Sequence, residues 1–149
     1  MNQEEIIKKM EELPFFEELS NDEKETLGSL ENHILQFEPF VKILNQGEVD
    51  HSFYILLEGR VSLTIDKPPE ITVAQLAPGG IFGDITFRND KPRTNSISSD
   101  DDVAILKIDR QLIEEGLDPV LANKIKDQVI GLLVRRLDEM NSKLVGFVR

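Results

Sequence analysis

The residue types best suited to chemistry lie in one stretch, residues 79–94, which begins with two glycines and ends shortly after an arginine. Gly83 allows the backbone to approach a ligand closely, because glycine has no Cβ. The backbone amides of Asp84 and Ile85, at the start of a predicted helical turn, point outward and favour an anion. Arg93 follows a tight return of the chain and supplies a planar set of donors that suits a phosphate. The segment therefore predicts a small positive pocket made of backbone amides and one side chain.

Arg93 also has a plainer interpretation. The chain carries 28 acidic residues against 17 Lys and Arg, so that an isolated arginine has many exposed carboxylates within reach. An exposed ion pair of that kind is worth less than about 1 kcal/mol. Considered alone, Arg93 favours this interpretation, and only its position after the glycine-containing turn indicates a ligand.

The composition narrows the classes of function. The chain of 149 residues is one domain in length, and it has no cysteine, which excludes disulfides, thiolate nucleophiles and sulfur-bound metals. Neither His33 nor His51 lies in a catalytic or metal-binding motif, and no Ser/His/Asp set or carboxylate pair has a defensible geometry. We therefore expect a protein that is not an enzyme and that has no cofactor or metal.

The charge of the chain narrows its partners. A formal net charge of −11 argues against direct binding to nucleic acid or to an anionic membrane, both of which require clustered Lys and Arg. No apolar run approaches the roughly 18 residues of a membrane span, and the acidic, amphipathic N-terminus is unlike a signal peptide. These features and the absence of cysteine predict a cytoplasmic protein with no nucleic-acid or membrane partner.

Two short helices are predicted to precede a region of strands. Apolar residues recur at helical spacing over residues 2–13, and Pro14 ends that helix. A second helix begins at Ser20, since Ser20 and Glu23 have the spacing of a capping box.

Residues 33–108 are typical of a β structure, with short alternating segments separated by glycine and proline turns. Many short strands of this kind favour a sandwich or a jelly-roll barrel. The clearest predicted strands are Val41–Leu44, Phe53–Leu57, Val61–Ile65, Ile71–Leu76 and Val103–Ile108.

The C-terminal part of the chain returns to helical spacing. Asp109 can cap a short helix that ends near Gly116, and Asp118 and Pro119 begin a long one. Two apolar stripes run along the long helix and face different directions. The first stripe is Ile130, Leu133, Leu137, Met140, Leu144 and Phe147; the second is Ile125, Val129 and Leu132. We expect one stripe to pack on the barrel and the other on a second copy of the chain, the alternative being that both pack within one chain.

The sequence resembles cyclic-nucleotide-binding domains of catabolite-activator-type regulators, cyclic-nucleotide-dependent kinases and cyclic-nucleotide-gated channels. The match to their phosphate-binding cassette runs from Phe82-Gly83-Asp84 to Arg93-Thr94. Upstream, Gly47 and Gly59 flank an aromatic strand, Phe53-Tyr54-Ile55, as turn glycines do in the family. The resemblance extends from about residue 14 to about residue 144.

The resemblance implies a single mainly-β domain with flanking helices. Residues 1–32 would form N-terminal helices, residues 33–108 a double-stranded β-helix (jelly-roll) barrel, and residues 109–149 the C-terminal helices. The cassette would occupy residues 79–95. A DNA-binding domain, which catabolite-activator-type regulators carry after this point, is not expected in this sequence.

The resemblance also implies roles for individual residues. Arg93 would bind the cyclic phosphate, helped by the Thr94 hydroxyl and by the backbone amides of residues 83–85. The residue at position 84 would contact the ribose, and other residues would contact the base. The complete predicted set is Phe82, Gly83, Asp84, Ile85, Arg93 and Thr94 in the cassette, Val73 and Ala74 on the preceding strand, and Met140 and Asn141 on the long helix.

Asp84 departs from the family pattern, which has glutamate at this position. Losing one methylene shortens the reach by about 1.3 Å, and a lost hydrogen bond would cost roughly 1–3 kcal/mol of binding. Thr86 also differs from the small residue usual there. A second hypothesis is therefore a domain of the same fold that serves in dimerisation or protein interaction without a nucleotide.

The leading hypothesis is a regulatory sensor that binds cyclic AMP or cyclic GMP and moves its C-terminal helix, with a protein effector downstream. Thr94 is compatible with either base. A third hypothesis, a metal-dependent jelly-roll enzyme of the cupin kind, is disfavoured. Phe53 stands where the second histidine ligand would be, and His51 and Glu58 do not complete a metal-binding triad.

Overall fold

The computed structural model describes residues 1–83 and 91–148, which form two four-stranded antiparallel sheets flanked by helices. The predicted mainly-β jelly-roll class, with N-terminal helices and a long C-terminal helix, is confirmed. The helices are α1 (Gln3–Glu11), α2 (Asn21–Gly28) and α3 (Pro119–Val148). The strands are β1 (Ile34–Phe37), β2 (Lys42–Leu44), β3 (Ser52–Glu58), β4 (Val61–Ile65), β5 (Ile71–Leu76), β6 (Ile81–Phe82), β7 (Ser96–Ser99) and β8 (Val103–Asp109).

Successive strands alternate between the two sheets, except that β4 and β5 are neighbours in the same sheet. One sheet has the order β1-β8-β3-β6 and the other the order β2-β7-β4-β5. In the first sheet Leu106 of β8 lies between Ile34 of β1 and Ile55 of β3. In the second, Leu63 of β4 lies opposite Ile97 of β7.

Strand β3 is buried on both faces, which explains its uninterrupted apolar run. Every residue from Ser52 to Leu57 is buried. Phe53 and Ile55 belong to a core shared with the helices, whereas Tyr54 and Leu56 belong to a core between the two sheets. Successive side chains of a strand point to opposite faces, so that one strand contributes to both cores.

Strands β1, β6 and β7 were not among the strands predicted from the sequence. Strand β6 has only two residues, and β7 has the sequence Ser-Ile-Ser-Ser, in which polar side chains are buried. The Ser96 hydroxyl donates to Asp66 and the Ser99 hydroxyl to the backbone oxygen of Glu38. Buried hydroxyls of this kind are satisfied by distant residues, which an alternation pattern does not reveal.

The N-terminal helices begin as predicted and end slightly earlier. Both have capping boxes, Asn2 with Glu5 in α1 and Ser20 with Glu23 in α2. Helix α1 ends at Glu11, and Pro14–Phe16 forms a 3₁₀ turn that buries its two phenylalanines in the core.

Helix α3 has the two different faces predicted for it. It begins at Pro119, and the preceding turn, Leu112–Gly116, is π-helical, with the amide of Leu112 donating to Asp109. Ile125 is buried, and Val129 and Leu132 pack against the same core. The stripe from Ile130 to Phe147 is exposed. Within the described residues, no helix combines the length and the apolar composition needed to cross a bilayer.

A half-buried ion pair joins the N-terminal helices to α3. The Lys124 ammonium lies 2.7 Å from Glu23 Oε1. The hydrogen bond from Lys124, and next that from the Ser20 amide, lower the pKa of Glu23 below its ordinary value. The ionised carboxylate therefore contributes to stability.

We expect Glu23→Gln, which keeps the capping box, to lower the free energy of unfolding at pH 7 by less than about 1 kcal/mol. Because the pKa of Glu23 is lowered by folding, the difference from wild type is present above the unfolded pKa and disappears as the pH falls through the folded pKa. Urea unfolding at a series of pH values measures this. Glu25→Gln, on the same helix and exposed, should show no such convergence, and a parallel pair of pH curves for wild type and Glu23→Gln would contradict the assignment.

Candidate functional site

A cavity of about 320 Å³ lies beside the second sheet, between β6, the loop before β7, and α3. Its wall is apolar except at one end, where arginines, glycine and small polar residues meet. The lining residues are Leu44, Leu63, Leu76, Ile81, Phe82, Gly83, Arg93, Thr94, Asn95, Ile97 and Arg136.

Arg93 is buried at this polar end, with only 6% of its surface exposed. The backbone on both sides of the residue is tied to the loop between β2 and β3. Its amide donates to the oxygen of Glu48 at 2.8 Å, and its oxygen accepts from the amide of Gly47 at 2.9 Å. These two bonds fix where the side chain starts, before any side-chain contact is made.

Among the described residues, the Arg93 guanidinium has one charged partner and one donor without an acceptor. Nη2 donates to the carboxylate of Asp50, and the Arg93 Cζ atom lies 5.5 Å from the centre of the Tyr54 ring. Nε is buried and has no acceptor among the described residues. A buried charged donor without an acceptor is costly, and an anion entering the cavity would supply the missing acceptor.

Asp50 is itself held in position by β3. One carboxylate oxygen accepts from the Tyr54 hydroxyl at 3.0 Å, and the other accepts from the Ser52 amide at 3.2 Å. Burial, and next the Asp50 charge, raise the pKa of the Tyr54 hydroxyl well above its ordinary value. Tyr54 therefore stays protonated and remains a donor to the carboxylate.

Gly83 makes close packing around Arg93 possible. Its φ of +79° lies in the left-handed region, and a Cβ at this position would lie 2.7 Å from Arg93 Nη1 and 3.0 Å from Tyr54 Cδ2. Only glycine fits both the backbone conformation and the space. The close neighbour of Gly83 is therefore Arg93, and the approach of a ligand to the Gly83 backbone stays a prediction.

Sequence reasoning missed the second arginine of the cavity, Arg136. It extends from α3, and its Nη2 donates to the backbone oxygen of Ile81 at 2.7 Å. The pattern on the long helix does not distinguish Arg136 from the adjacent Arg135, which is exposed. The contact of Arg136 with Ile81, which is 55 residues away in the sequence, shows that tertiary packing brings position 136 to the cavity.

Four of the ten predicted site residues line the cavity together: Phe82, Gly83, Arg93 and Thr94. Phe82 stacks on Tyr54 with ring centres 5.2 Å apart. The Thr94 hydroxyl lies 3.1 Å from Asn95 Oδ1. Asp84 and Ile85, and with them the predicted helical turn and Thr86, lie outside the described residues.

The other four predicted residues do not line the cavity. Val73 and Ala74 lie on β5 and are exposed, with Ala74 opposite Leu63. Met140 and Asn141 lie on the exposed distal part of α3. Their contact with a ligand stays a prediction.

The two histidines lie apart from the cavity in structural contacts. His33 Nδ1 lies 3.0 Å from the backbone oxygen of Lys107, and His51 Nδ1 lies 3.1 Å from Arg110 Nη2. In the described part of the chain, no three His, Cys, Asp or Glu side chains are grouped so that they could hold a metal ion.

The structure thus combines a jelly-roll barrel with a cavity whose lining includes Arg93 and Arg136. The model of the cyclic nucleotide-binding domain matches residues 34–118, more than half of the chain. The chain therefore belongs to the cyclic nucleotide-binding domain family.

Individual relatives agree with this assignment. The chain is 28% identical over 112 residues to a cAMP-dependent protein kinase regulatory subunit of Colletotrichum orbiculare, covering 74% of this chain but only 28% of that protein. A cyclic nucleotide-binding domain from Methylobacillus flagellatus has the same fold, with a TM-score of 0.73 at 22% identity, covering 96% of this chain and 82% of that one. The Thermus thermophilus catabolite activator protein aligns with a TM-score of 0.68 at 23% identity, covering 88% of this chain and 61% of that one.

We expect Gly83→Ala to destabilise the protein by about 1–3 kcal/mol more than Gly79→Ala, because the new Cβ overlaps the Arg93 guanidinium. Gly79 has a φ of +93° as well, but a Cβ there would meet only Leu13, at an ordinary 3.6 Å. Both substitutions therefore carry the cost of a positive φ, and they differ in whether there is room for the new Cβ. Urea unfolding measures the difference, and equal midpoints for the two variants would contradict the packing described for Arg93.

Proposed function

We propose that this domain binds a cyclic nucleotide in the cavity, with Arg93 as the main contact of the cyclic phosphate, and that it acts as a regulatory sensor. The observation that carries the proposal is the buried Arg93 side chain, which borders the cavity and has an unsatisfied Nε among the described residues. A phosphate oxygen is the acceptor that such a donor favours.

The charge distribution supports an anionic ligand. The chain as a whole carries a net charge of −11, yet the described lining of the cavity includes two arginines and no acidic residue. Local positive charge within an acidic protein is not expected from composition. It indicates a site that attracts anions while the remaining surface repels them.

The size and the apolar wall support a nucleotide rather than a small inorganic anion. The cavity volume of about 320 Å³ lies at the lower end of the usual range for small-molecule sites. Leu44, Ile97 and Leu63 lie side by side on β2, β7 and β4 and, with Leu76, form an apolar part of the cavity lining. These apolar residues would contact the ribose and base. Thermal unfolding with each ligand would distinguish cyclic AMP from cyclic GMP.

Helix α3 provides a route by which binding could be relayed. The first half of the helix packs on the core through Ile125. Further along the helix, Arg136 contacts the cavity wall at Ile81. A ligand that changes this contact would change the position of the exposed distal half. A protein effector would then recognise the difference.

We expect cyclic AMP or cyclic GMP at a hundred times Kd to add about 2.7 kcal/mol of stability, which raises the unfolding midpoint by about 5–10 °C. Arg93→Ala should weaken binding at least about tenfold, because it removes a charged hydrogen bond to the phosphate. Arg93→Lys, which keeps the charge but not the planar fork, should also bind more weakly than wild type. Thermal unfolding and isothermal titration calorimetry measure both effects.

Arg60→Ala is the matched control, since Arg60 is exposed in the turn between β3 and β4 and does not line the cavity. It should bind like wild type. Unchanged binding in Arg93→Ala would contradict the proposed phosphate contact. No midpoint shift in wild type at millimolar cyclic nucleotide would favour the second hypothesis, an interaction module without a nucleotide.

We also propose that the domain forms a homodimer through α3. Six apolar residues on one face of the helix are 37% to 91% exposed, and they are spaced alternately by three and four residues. This is the spacing of a coiled-coil seam, which is complementary to a second copy of itself. The six are Ile130, Leu133, Leu137, Met140, Leu144 and Phe147.

We expect the wild-type chain to sediment at twice its mass of 16.9 kDa and Leu137→Glu to sediment as a monomer, because a buried carboxylate would lie in the seam. Arg135→Glu introduces the same group on a different face of the helix and should remain dimeric. Sedimentation equilibrium measures the masses. A monomeric wild-type protein, or dissociation by both variants alike, would contradict the proposed seam.

A further inference from the structure

The carboxylate of Asp50 shares the arginine that the proposed ligand would use. Arg93 borders the cavity and Asp50 does not, so that the guanidinium contacts both the cavity and the carboxylate. The Asp50 side chain is 38% exposed, whereas that of Arg93 is 5% exposed. Tyr54 and the Ser52 amide hold Asp50 from the side of β3.

This arrangement makes the total charge of the ligand important. Arg93 and Asp50 together carry no net charge before a ligand enters. A cyclic phosphate adds one negative charge, because it has a single ionised oxygen, whereas a linear monophosphate carries nearly two at neutral pH. Arg136 also lines the cavity and would attract either ligand. Asp50 would oppose the second charge of a linear monophosphate, which gains no second arginine bond at Arg93 to offset that repulsion.

We propose that Asp50 is a specificity-determining residue that selects singly charged phosphates against doubly charged ones at Arg93. This inference rests on the proposed function and deepens it. Asp50 acts through its charge, and its hydrogen bond to Arg93 also keeps the guanidinium in place when the cavity is empty.

The expected size of the selection follows from Coulomb's law. One additional charge roughly 6 Å from the Asp50 carboxylate, at an effective dielectric constant of about 40, changes the affinity about tenfold. The effective dielectric constant lies above the usual value of about 20 for pairs near a protein surface, because the Asp50 side chain is partly exposed to water.

Asp50→Asn tests the charge while it preserves the contacts. The amide keeps an oxygen to accept from Arg93 and an N–H₂ group that can donate to the Tyr54 oxygen. Tyr54→Phe makes the opposite change, since it removes a contact of Asp50 and keeps the charge. Glu25→Gln removes a charge from exposed helix α2 and controls for net charge.

The experiment uses the full chain and a fluorescent analogue of whichever cyclic nucleotide binds. The nucleoside 5′-monophosphate and its methyl ester then compete for the site; they share one linear skeleton and differ by one charge. In wild type the methyl ester should compete better than the monophosphate. Asp50→Asn should reduce the ratio of the two inhibition constants about tenfold, whereas Tyr54→Phe and Glu25→Gln should leave it unchanged.

The outcomes separate this inference from the proposed function. If wild type binds no cyclic nucleotide, the proposed function is wrong and the selection by Asp50 is wrong with it. If wild type binds and the ratio is the same in Asp50→Asn, the selection alone is wrong. Equal weakening of all ligands, or an equal change of the ratio in Tyr54→Phe, would mean that Asp50 only positions Arg93 and would also overturn the proposal. Asp50→Ser provides the same comparison if Asp50→Asn does not fold.

Discussion

The burial of the Arg93 guanidinium is the constraint on which the rest of the site depends. A charged group removed from water requires a nearby opposite charge and acceptors for its donors. Asp50 supplies the charge, the Tyr54 ring lies beside the guanidinium, and Nε remains unsatisfied among the described residues. The described part of the site therefore balances the Arg93 charge but leaves one of its buried donors without an acceptor.

Several separate parts of the chain come together around the buried Arg93 side chain. The loop between β2 and β3 holds the Arg93 backbone and carries Asp50. Strand β3 contributes Tyr54, and the end of β6 contributes Gly83, where any side chain would overlap the guanidinium. Because these groups contact one another directly, substitutions among them are expected to be non-additive.

Helix α3 connects this site to the rest of the molecule. The same helix packs on the helix-sheet core, contributes Arg136 to the cavity and exposes an apolar stripe. The core contacts, the cavity contact and the exposed stripe therefore all lie on one continuous helix. The ion pair of Lys124 with Glu23 holds the first half of α3 against α2 while the distal half stays exposed.

The sequence by itself determined the class of fold, the capping box of α2, the start of the long helix and its two faces, because these follow from local spacing and hydrogen bonds between near neighbours. It also identified Phe82, Gly83, Arg93 and Thr94, which the structure brings to one cavity. Only the tertiary structure decided the partners of Arg93. Asp50 is 43 residues away from it, and an acidic chain offers many other carboxylates. Arg136 and strand β7 were missed for the same reason. Their roles depend on hydrogen bonds with residues distant in the sequence, and local spacing does not predict such contacts.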